Sequence, residues 1–166
     1  MSYERTLHIR QELLHLLERL DEQDLNKKLD GWTIAEIIAH LYLTERKFVQ
    51  IMKEAIKQQR ALTDKTNPNF DLSFMMDRSR KINAPDDISP TEKSYTKNEL
   101  LTLLSESREM LNEVVATTPS TDWDRLSSPH RWMGDLTVKK WIELIGQHEK
   151  RHLLQIDEIL HPPIGE

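Results

Sequence analysis

Apolar residues recur along most of the chain at steps of three and four, the period of an amphipathic helix rather than the alternation of a strand. Leu13, Leu14, Leu17 and Leu20 make one such face and predict a first helix over about Tyr3–Leu25. Asp30-Gly31-Trp32 then breaks the chain, and Thr33-Ile-Ala-Glu36 spells a capping box. It predicts a second helix from Ile34 to about Arg60, with Ile34, Ile37, Ile38, Leu41, Phe48 and Met52 inward. A second capping box, Thr96-Lys-Asn-Glu99, opens a third helix over about Lys97–Ala116. Its face is Leu100, Leu103, Leu104, Leu111, Val114 and Val115, and Thr117-Thr118-Pro119 stops it. Thr137 caps a fourth helix that runs to about Leu160 and is closed by Pro162-Pro163. No alternating run is long enough to predict a sheet. The pattern predicts an all-α four-helix bundle, one domain over residues 1–166, with a long, partly helical connection between helices 2 and 3.

That connection, Leu62–Thr96, is polar and broken by Pro68, Pro85 and Pro90. A structureless loop of such length is unusual in a compact domain. Asp71–Arg78 is therefore expected to form a short helix over one end of the bundle, anchored by Phe70, Phe74, Met75 and Met76. Ser120–Leu136, with Trp123, His130 and Trp132, is expected as an ordered loop carrying aromatics. An up-down-up-down path and a crossover through the long connection both fit the spacing.

The fourth helix breaks its own pattern. Its stripe is Trp141, Ile145, His148, His152, Ile156 and Ile159, so two positions suited to Leu or Ile hold histidine. His148 and His152 are one turn apart and leave the same face. A buried imidazole pair is costly unless something binds it. His40 lies at the margin of the second helix's stripe, where position alone fits a packing residue as well as a ligand. His8 and His15 fall opposite the leucine face of the first helix and are expected at the surface. Neutral imidazoles are common ligands of divalent transition metals, and three from two helices leave coordination positions open. His148-Glu149-Lys-Arg-His152 also fits the letters H-E-x-x-H of metalloproteases, but that helix works beside a sheet, and none is expected here. Glu149 is expected to be exposed or to support the ligands.

Composition narrows the function. With 23 basic and 28 acidic residues the formal charge is -5, which weighs against a large nucleic-acid-binding surface. The absence of cysteine excludes disulfides, thiolate ligands and a cysteine nucleophile, and fits a reducing cytoplasm. Met1-Ser-Tyr-Glu-Arg-Thr leads into a charged helix rather than a signal core, and no apolar run approaches the ~20 residues that span a bilayer. A cytoplasmic protein with no membrane partner is the expectation.

Two stretches carry a family resemblance. Trp32-Thr-Ile-Ala-Glu36-Ile-Ile-Ala-His40 resembles the first motif of the DinB-like (damage-inducible, YfiT-like) four-helix bundles. Gly134-Asp-Leu136-Thr137 leading to His148-x-x-x-His152-x-x-Gln155-Ile156 resembles the second. The two cover about a third of the chain in the right order. The resemblance implies a divalent transition metal, nickel or zinc, on His40, His148 and His152. Glu36 and Thr44, one turn before and after His40, are the candidate hydrogen-bonding supports of its ring. Relatives include thiol-dependent enzymes, so the activity implied is transfer of a low-molecular-weight thiol of the bacillithiol type to a small electrophilic substrate. An open-sided metal lowers the pKa of a bound thiol, and the sulfur has to come from the cosubstrate because this chain has none in cysteine. The alternatives are a metal-dependent hydrolase on the same ligands and a metal-binding stress-response protein without turnover. A homodimer is implied by family habit alone. Trp132, Phe74 and Met75 are candidates for the site entrance. His130 is followed by Arg131 where relatives carry His-Pro, which leaves the role of His130 open.

Overall fold

Threonine hydroxyls open three of the long helices in the computed structural model, which describes residues 2–91 and 93–163. Thr33, Thr96 and Thr137 each accept the backbone N–H three residues on, at 3.1 Å. The long helices are α1 (Ser2–Arg19), α3 (Ile34–Lys57), α4 (Lys97–Thr117) and α6 (Val138–Leu160), with short α2 (Glu22–Leu25) and α5 (Ser120–Trp123) between them. At Thr33 the box is complete, since Glu36 accepts the Thr33 N–H at 3.0 Å. At Thr96 only half of it forms, because Glu99 pairs with Lys93 at 3.2 Å. Met1, Glu92 and Ile164–Glu166, which the single-domain expectation includes, lie outside the described residues.

The first helix is shorter than its periodicity predicts. Asp21 accepts the Asp24 N–H at 2.8 Å and Asp24 returns the bond at 3.1 Å, so a new cap starts α2 where α1 would have continued.

Contacts along the helices fix their directions. Thr6, Arg10 and Glu12 meet Ile142, Glu149 and Lys150 in the same order, so α1 and α6 run parallel. Tyr3 bonds Asn112 while Lys97 bonds Glu18, so α1 and α4 are antiparallel. Phe48 packs on Trp141 and His40 on His148 and His152, so α3 and α6 are antiparallel too. The path is therefore up-down-down-up, and the long connection is the crossover that returns the chain along the bundle.

That crossover holds two 3₁₀ turns, Ser73–Met76 packed on α6 and Asp86–Ile88 packed on α3. The first falls inside the expected short helix; the second leaves no periodic signal in three residues. Arg151 of α6, 4% exposed, ties the crossover down by donating to the carbonyls of Met75 and Asp77 at 2.9 Å each, and to that of Arg80.

The expected aromatic loop contains structure that the sequence pattern did not predict. Ser120–Trp123 is a helical turn, and Ser127–His130 (β1) pairs antiparallel with Gly134–Thr137 (β2). The expectation of no strands is corrected by this hairpin. Four-residue strands carry too few alternations to register as a period, and Pro129 disguises one of them. Gly134, at φ +85°, supplies the left-handed residue that closes the three-residue loop. Arg60 pins the hairpin to the end of α3 through Asp135 at 2.7 Å and Ser127 at 2.8 Å.

The core divides in two. Leu13, Leu17, Ile34, Ile37, Leu41, Leu100, Leu104 and Ile156 fill one end; Val49, Met52, Leu111, Leu126, Leu136, Trp141 and Ile142 fill the other. Between them lies a buried charged layer with one member from each long helix: Arg10, Glu45, Arg108 and Glu149. Among the described residues no helix is long and apolar enough to cross a membrane.

Candidate metal centre

The antiparallel pair α3 and α6 brings the three predicted histidines together. His40 Nε2 lies 3.0 Å from His148 Nε2, and His152 Nε2 lies 3.2 Å from the same atom. All three ligand atoms fall within 4.8 Å of one another. His40 is 2% and His152 9% exposed, and His148 is half-buried. His8 and His15 are exposed on α1, away from this cluster.

Hydrogen bonds set which nitrogen of each ring holds the proton. His40 Nδ1–H donates to the Ile88 carbonyl at 2.7 Å, and His152 Nδ1–H donates to Gln155 Oε1 at 2.8 Å. Both rings therefore turn an Nε2 lone pair toward His148 Nε2. A neutral His148 has at most one proton there to offer the two of them. Three converging nitrogens with one shared proton form an electron-rich cluster that a cation satisfies better than the protein does. The two spacings to His148 agree, since nitrogens around a tetrahedral ion at ~2.0–2.1 Å stand about 3.3 Å apart. The donor set fits a divalent transition metal.

The rings are in the right protonation state to bind one. Burial pushes all three pKa values down: His152 to about 3, His148 well below its ordinary value, and His40 downward despite its bond to Ile88. Both neighbouring imidazoles add to the effect on His148, and that of His40 adds to the effect on His152.

The supports of the rings differ from those the sequence singles out. Glu36 spends its carboxylate on the Thr33 N–H. Thr44 Oγ1 is 3.4 Å from His40 Nδ1, but the nearer partner of that nitrogen is the Ile88 carbonyl. Gln155 was readable, one turn after His152 in the second motif. A backbone carbonyl from the crossover leaves no side-chain signature. Trp32, just before the Thr33 cap, packs its ring 4.8 Å from that of His40.

Glu149 requires a correction. It is 2% exposed and faces away from the histidines, bonded to Arg10 Nε at 2.8 Å, so it is neither at the surface nor beside the ligands. Burial outweighs Arg10 and Arg108 and raises its pKa. Adjacent residues leave a helix about 100° apart, and on the flank where Glu149 emerges it meets Arg10 and Arg108 rather than the cavity.

The three histidines line a cavity of about 1300 Å³ between α3, α6, the crossover and the hairpin. Met75 and Trp132 also line it, while Phe74 stands behind Trp132 with ring centres 5.9 Å apart. His130 is in the wall as well. Its Nδ1 accepts the backbone N–H groups of Trp132 and Met133 at 3.3 and 3.2 Å, and its ring packs on Trp132, Trp141 and Phe48.

Comparison with known proteins agrees with this architecture. The Bacillus subtilis (strain 168) protein YuaE, itself uncharacterized, is 32% identical over 145 residues, covering 86% of this chain and 87% of its own. The crystal structure of TT2238, described as a four-helix bundle protein, superposes with a TM-score of 0.62 over 94% of each chain. At 20% identity that likeness speaks to the fold alone. The model of the DinB superfamily matches residues 5–156, from the first turns of α1 through His152 and Gln155, and the chain belongs to that family.

Proposed function

We propose that the chain is a metal-dependent enzyme that joins a low-molecular-weight thiol of the bacillithiol type to a small electrophilic substrate. His40, His148 and His152 hold the divalent ion, nickel or zinc. The observation that carries the reading is a cluster of three neutral imidazoles, two of them with the tautomer fixed by a hydrogen bond, opening onto a cavity of about 1300 Å³. A metal-binding protein without turnover has no use for space of that size above its ligands, and a closed structural site has a fourth protein ligand. When bound, the ion supplies Lewis acidity that favours a thiolate at neutral pH. The protein's own part is to orient the rings through Ile88 and Gln155, to keep them unprotonated by burial, and to shield the sulfur from water beneath Trp32, Met75 and Trp132. In the reaction the thiol would give up its proton to solvent, its sulfur would form a bond to electrophilic carbon, and the group displaced would leave with the electron pair of its former bond.

The test is metal content of untagged protein for wild type, His148→Ala and His152→Ala, followed by consumption of an electrophile with and without thiol. Wild type should carry one equivalent and each variant far less. Full retention by both variants would remove the site; turnover indifferent to thiol would remove the transferase and leave a hydrolase on the same ligands.

A further inference from the structure

The chain is acidic overall, yet the hairpin side of the cavity is not. Lys47 of α3 and Arg131 of the hairpin loop both line it, next to His130. Lys47 is paired with Asp87 at 2.6 Å. Among the described residues the Arg131 guanidinium forms no hydrogen bond or ion pair, and it is exposed. It lies near enough to Lys47 for both cations to act on the same two groups, Asp87 and His130.

His130 completes the group with a donor. Its Nδ1 is occupied as an acceptor of two backbone N–H groups, so the neutral ring carries its proton on Nε2. Burial, with Arg131 and Lys47 adding to it, lowers its pKa to about 4, so the ring stays neutral in ordinary buffers. The wall thus offers a neutral N–H, an unpaired planar guanidinium and an ammonium that is half neutralised by Asp87. The formal charge of Lys47, Arg131 and Asp87 together is +1, which suits a monoanion better than a dianion. Arg131 has the fork geometry that binds carboxylate through two parallel bonds. Apolar surface adjoins the charges: Trp132, 51% exposed, and Ile82, 42% exposed, also line the cavity. The Phe48 ring stands between this wall and the histidines, 6.3 Å from His130 and 6.4 Å from His148.

We infer that Arg131, Lys47 and the His130 Nε2–H form a carboxylate subsite, so that the electrophilic substrate is a small organic acid with an apolar body. Its acid group sits on the hairpin wall and its reacting carbon reaches the three-histidine centre. This deepens the reading of the site given above and rests on it for the position of that centre.

Trp32, Trp132 and Trp141 line the cavity, so their fluorescence reports binding. The probes are hexanoate, hexanamide and hexyl phosphate, titrated into chelator-stripped and zinc-loaded protein for wild type, Arg131→Ala, Arg131→Lys and Lys47→Gln. Hexanoate should bind at least tenfold more tightly than hexanamide in wild type, stripped or loaded, and hexyl phosphate no more tightly than hexanoate. Arg131→Ala should abolish the preference with an unchanged melting temperature, since the side chain is exposed, and Arg131→Lys should restore part of it. Lys47→Gln should weaken hexanoate and leave hexanamide unmoved. Equal binding of hexanoate and hexanamide, or a preference intact in Arg131→Ala, overturns the subsite. Hexyl phosphate binding tenfold more tightly than hexanoate overturns its assignment to a monoanion. A preference seen only with zinc and indifferent to Arg131 puts the acid on the metal, which overturns the subsite while leaving the metal reading intact. An Arg131-dependent preference in protein that takes up no zinc does the reverse.

Discussion

Replacing Glu45 by glutamine tests the charged layer that ties the long helices together. Glu45 is 2% exposed, and its carboxylate accepts Arg10 Nη2 at 2.9 Å, Arg108 Nε at 2.7 Å and Ser107 Oγ at 2.5 Å. Burial alone would raise its pKa, but the two guanidinium groups and the hydroxyl outweigh burial and hold it below the ordinary carboxylate value. Glutamine keeps the volume and removes the charge, which leaves Arg10 and Arg108 to share Glu149. Removing one partner from a buried ion pair costs ~3–5 kcal/mol, because the remaining charges stay desolvated. In a domain of this length each kcal/mol moves the melting temperature by roughly 2–4 °C, so the variant should melt roughly 6–20 °C lower at pH 7. Differential scanning calorimetry and urea unfolding read this directly. A loss under ~1 kcal/mol would refute the reasoning, since it is what a hydrated surface pair gives. A companion variant separates the cost of breaking the layer from its worth. Arg10→Met, Glu45→Leu, Arg108→Met and Glu149→Leu made together should be near neutral or stabilising. The pH dependence has a definite sign. With its folded pKa depressed, Glu45 contributes stability above its unfolded pKa, and that contribution is lost as pH falls through the folded value. Glu149, whose pKa is raised, works the other way.

The remaining predictions concern the site and its frame. His40, His130, His148 and His152 all have folded pKa values below the unfolded ~6.5, so the unfolded chain binds more protons on acidification. Metal-free protein should therefore lose stability as pH falls from about 6.5 toward the folded values, about 4 for His130 and about 3 for His152; a urea midpoint unchanged between pH 7.5 and 4.5 would contradict this. Arg151→Ala removes the donor to three crossover carbonyls, so amide exchange over residues 73–88 should quicken at least tenfold. Arg151→Lys should recover little, because one ammonium does not reproduce the fork; unchanged exchange would sink the tether. Gly146→Ala places a Cβ 2.5 Å from Thr6 Oγ1 and 3.1 Å from Thr6 Cα, where α1 and α6 touch. It should cost ~1–3 kcal/mol in urea unfolding, and a neutral result would show that the helices move apart freely.

What the sequence reveals depends on the kind of signal each feature leaves. Long helices repeat their apolar stripe several times over, so α3, α4 and α6 were legible nearly to the residue, with Thr33, Thr96 and Thr137 marking their starts. His148 and His152 were legible because they break such a stripe. The hairpin was hidden because its four-residue strands are shorter than the period that would announce them. The charged layer leaves a signal of the same kind. Arg10, Glu45 and Arg108 each fall on the apolar stripe of their own helix and Glu149 falls beside that of α6, an anomaly like that of the histidines. Their matching depths depend on helix directions, however, and those became clear only when the long connection proved to be a crossover. Ile88 was beyond any sequence reading, because it serves through its carbonyl.

Glu149 decides what His148-Glu149-Lys150-Arg151-His152 means. In a metalloprotease helix the glutamate that follows the first histidine has to reach the water that attacks the peptide, so its flank of the helix must open onto the site. Here the letters serve three separate tasks. His148 and His152 turn toward α3 and the cavity. Glu149 turns into the bundle, where its carboxylate meets Arg10 at 2.8 Å. Arg151, buried beside the cavity, turns to the crossover and holds it by the carbonyls of Met75 and Asp77. A carboxylate locked to a buried guanidinium is not available as a base at the cavity, so the motif match carries no peptidase chemistry. Its adjacency has a structural consequence instead. The residue that locks α1 to α6 directly follows His148, and the residue that locks the crossover directly precedes His152. The rings are thereby held on both flanks by bonds that involve no metal. Metal uptake by this centre should therefore leave the far-ultraviolet circular dichroism unchanged while raising the melting temperature, and a helical signal that grows on adding zinc would mean that the frame is not preformed.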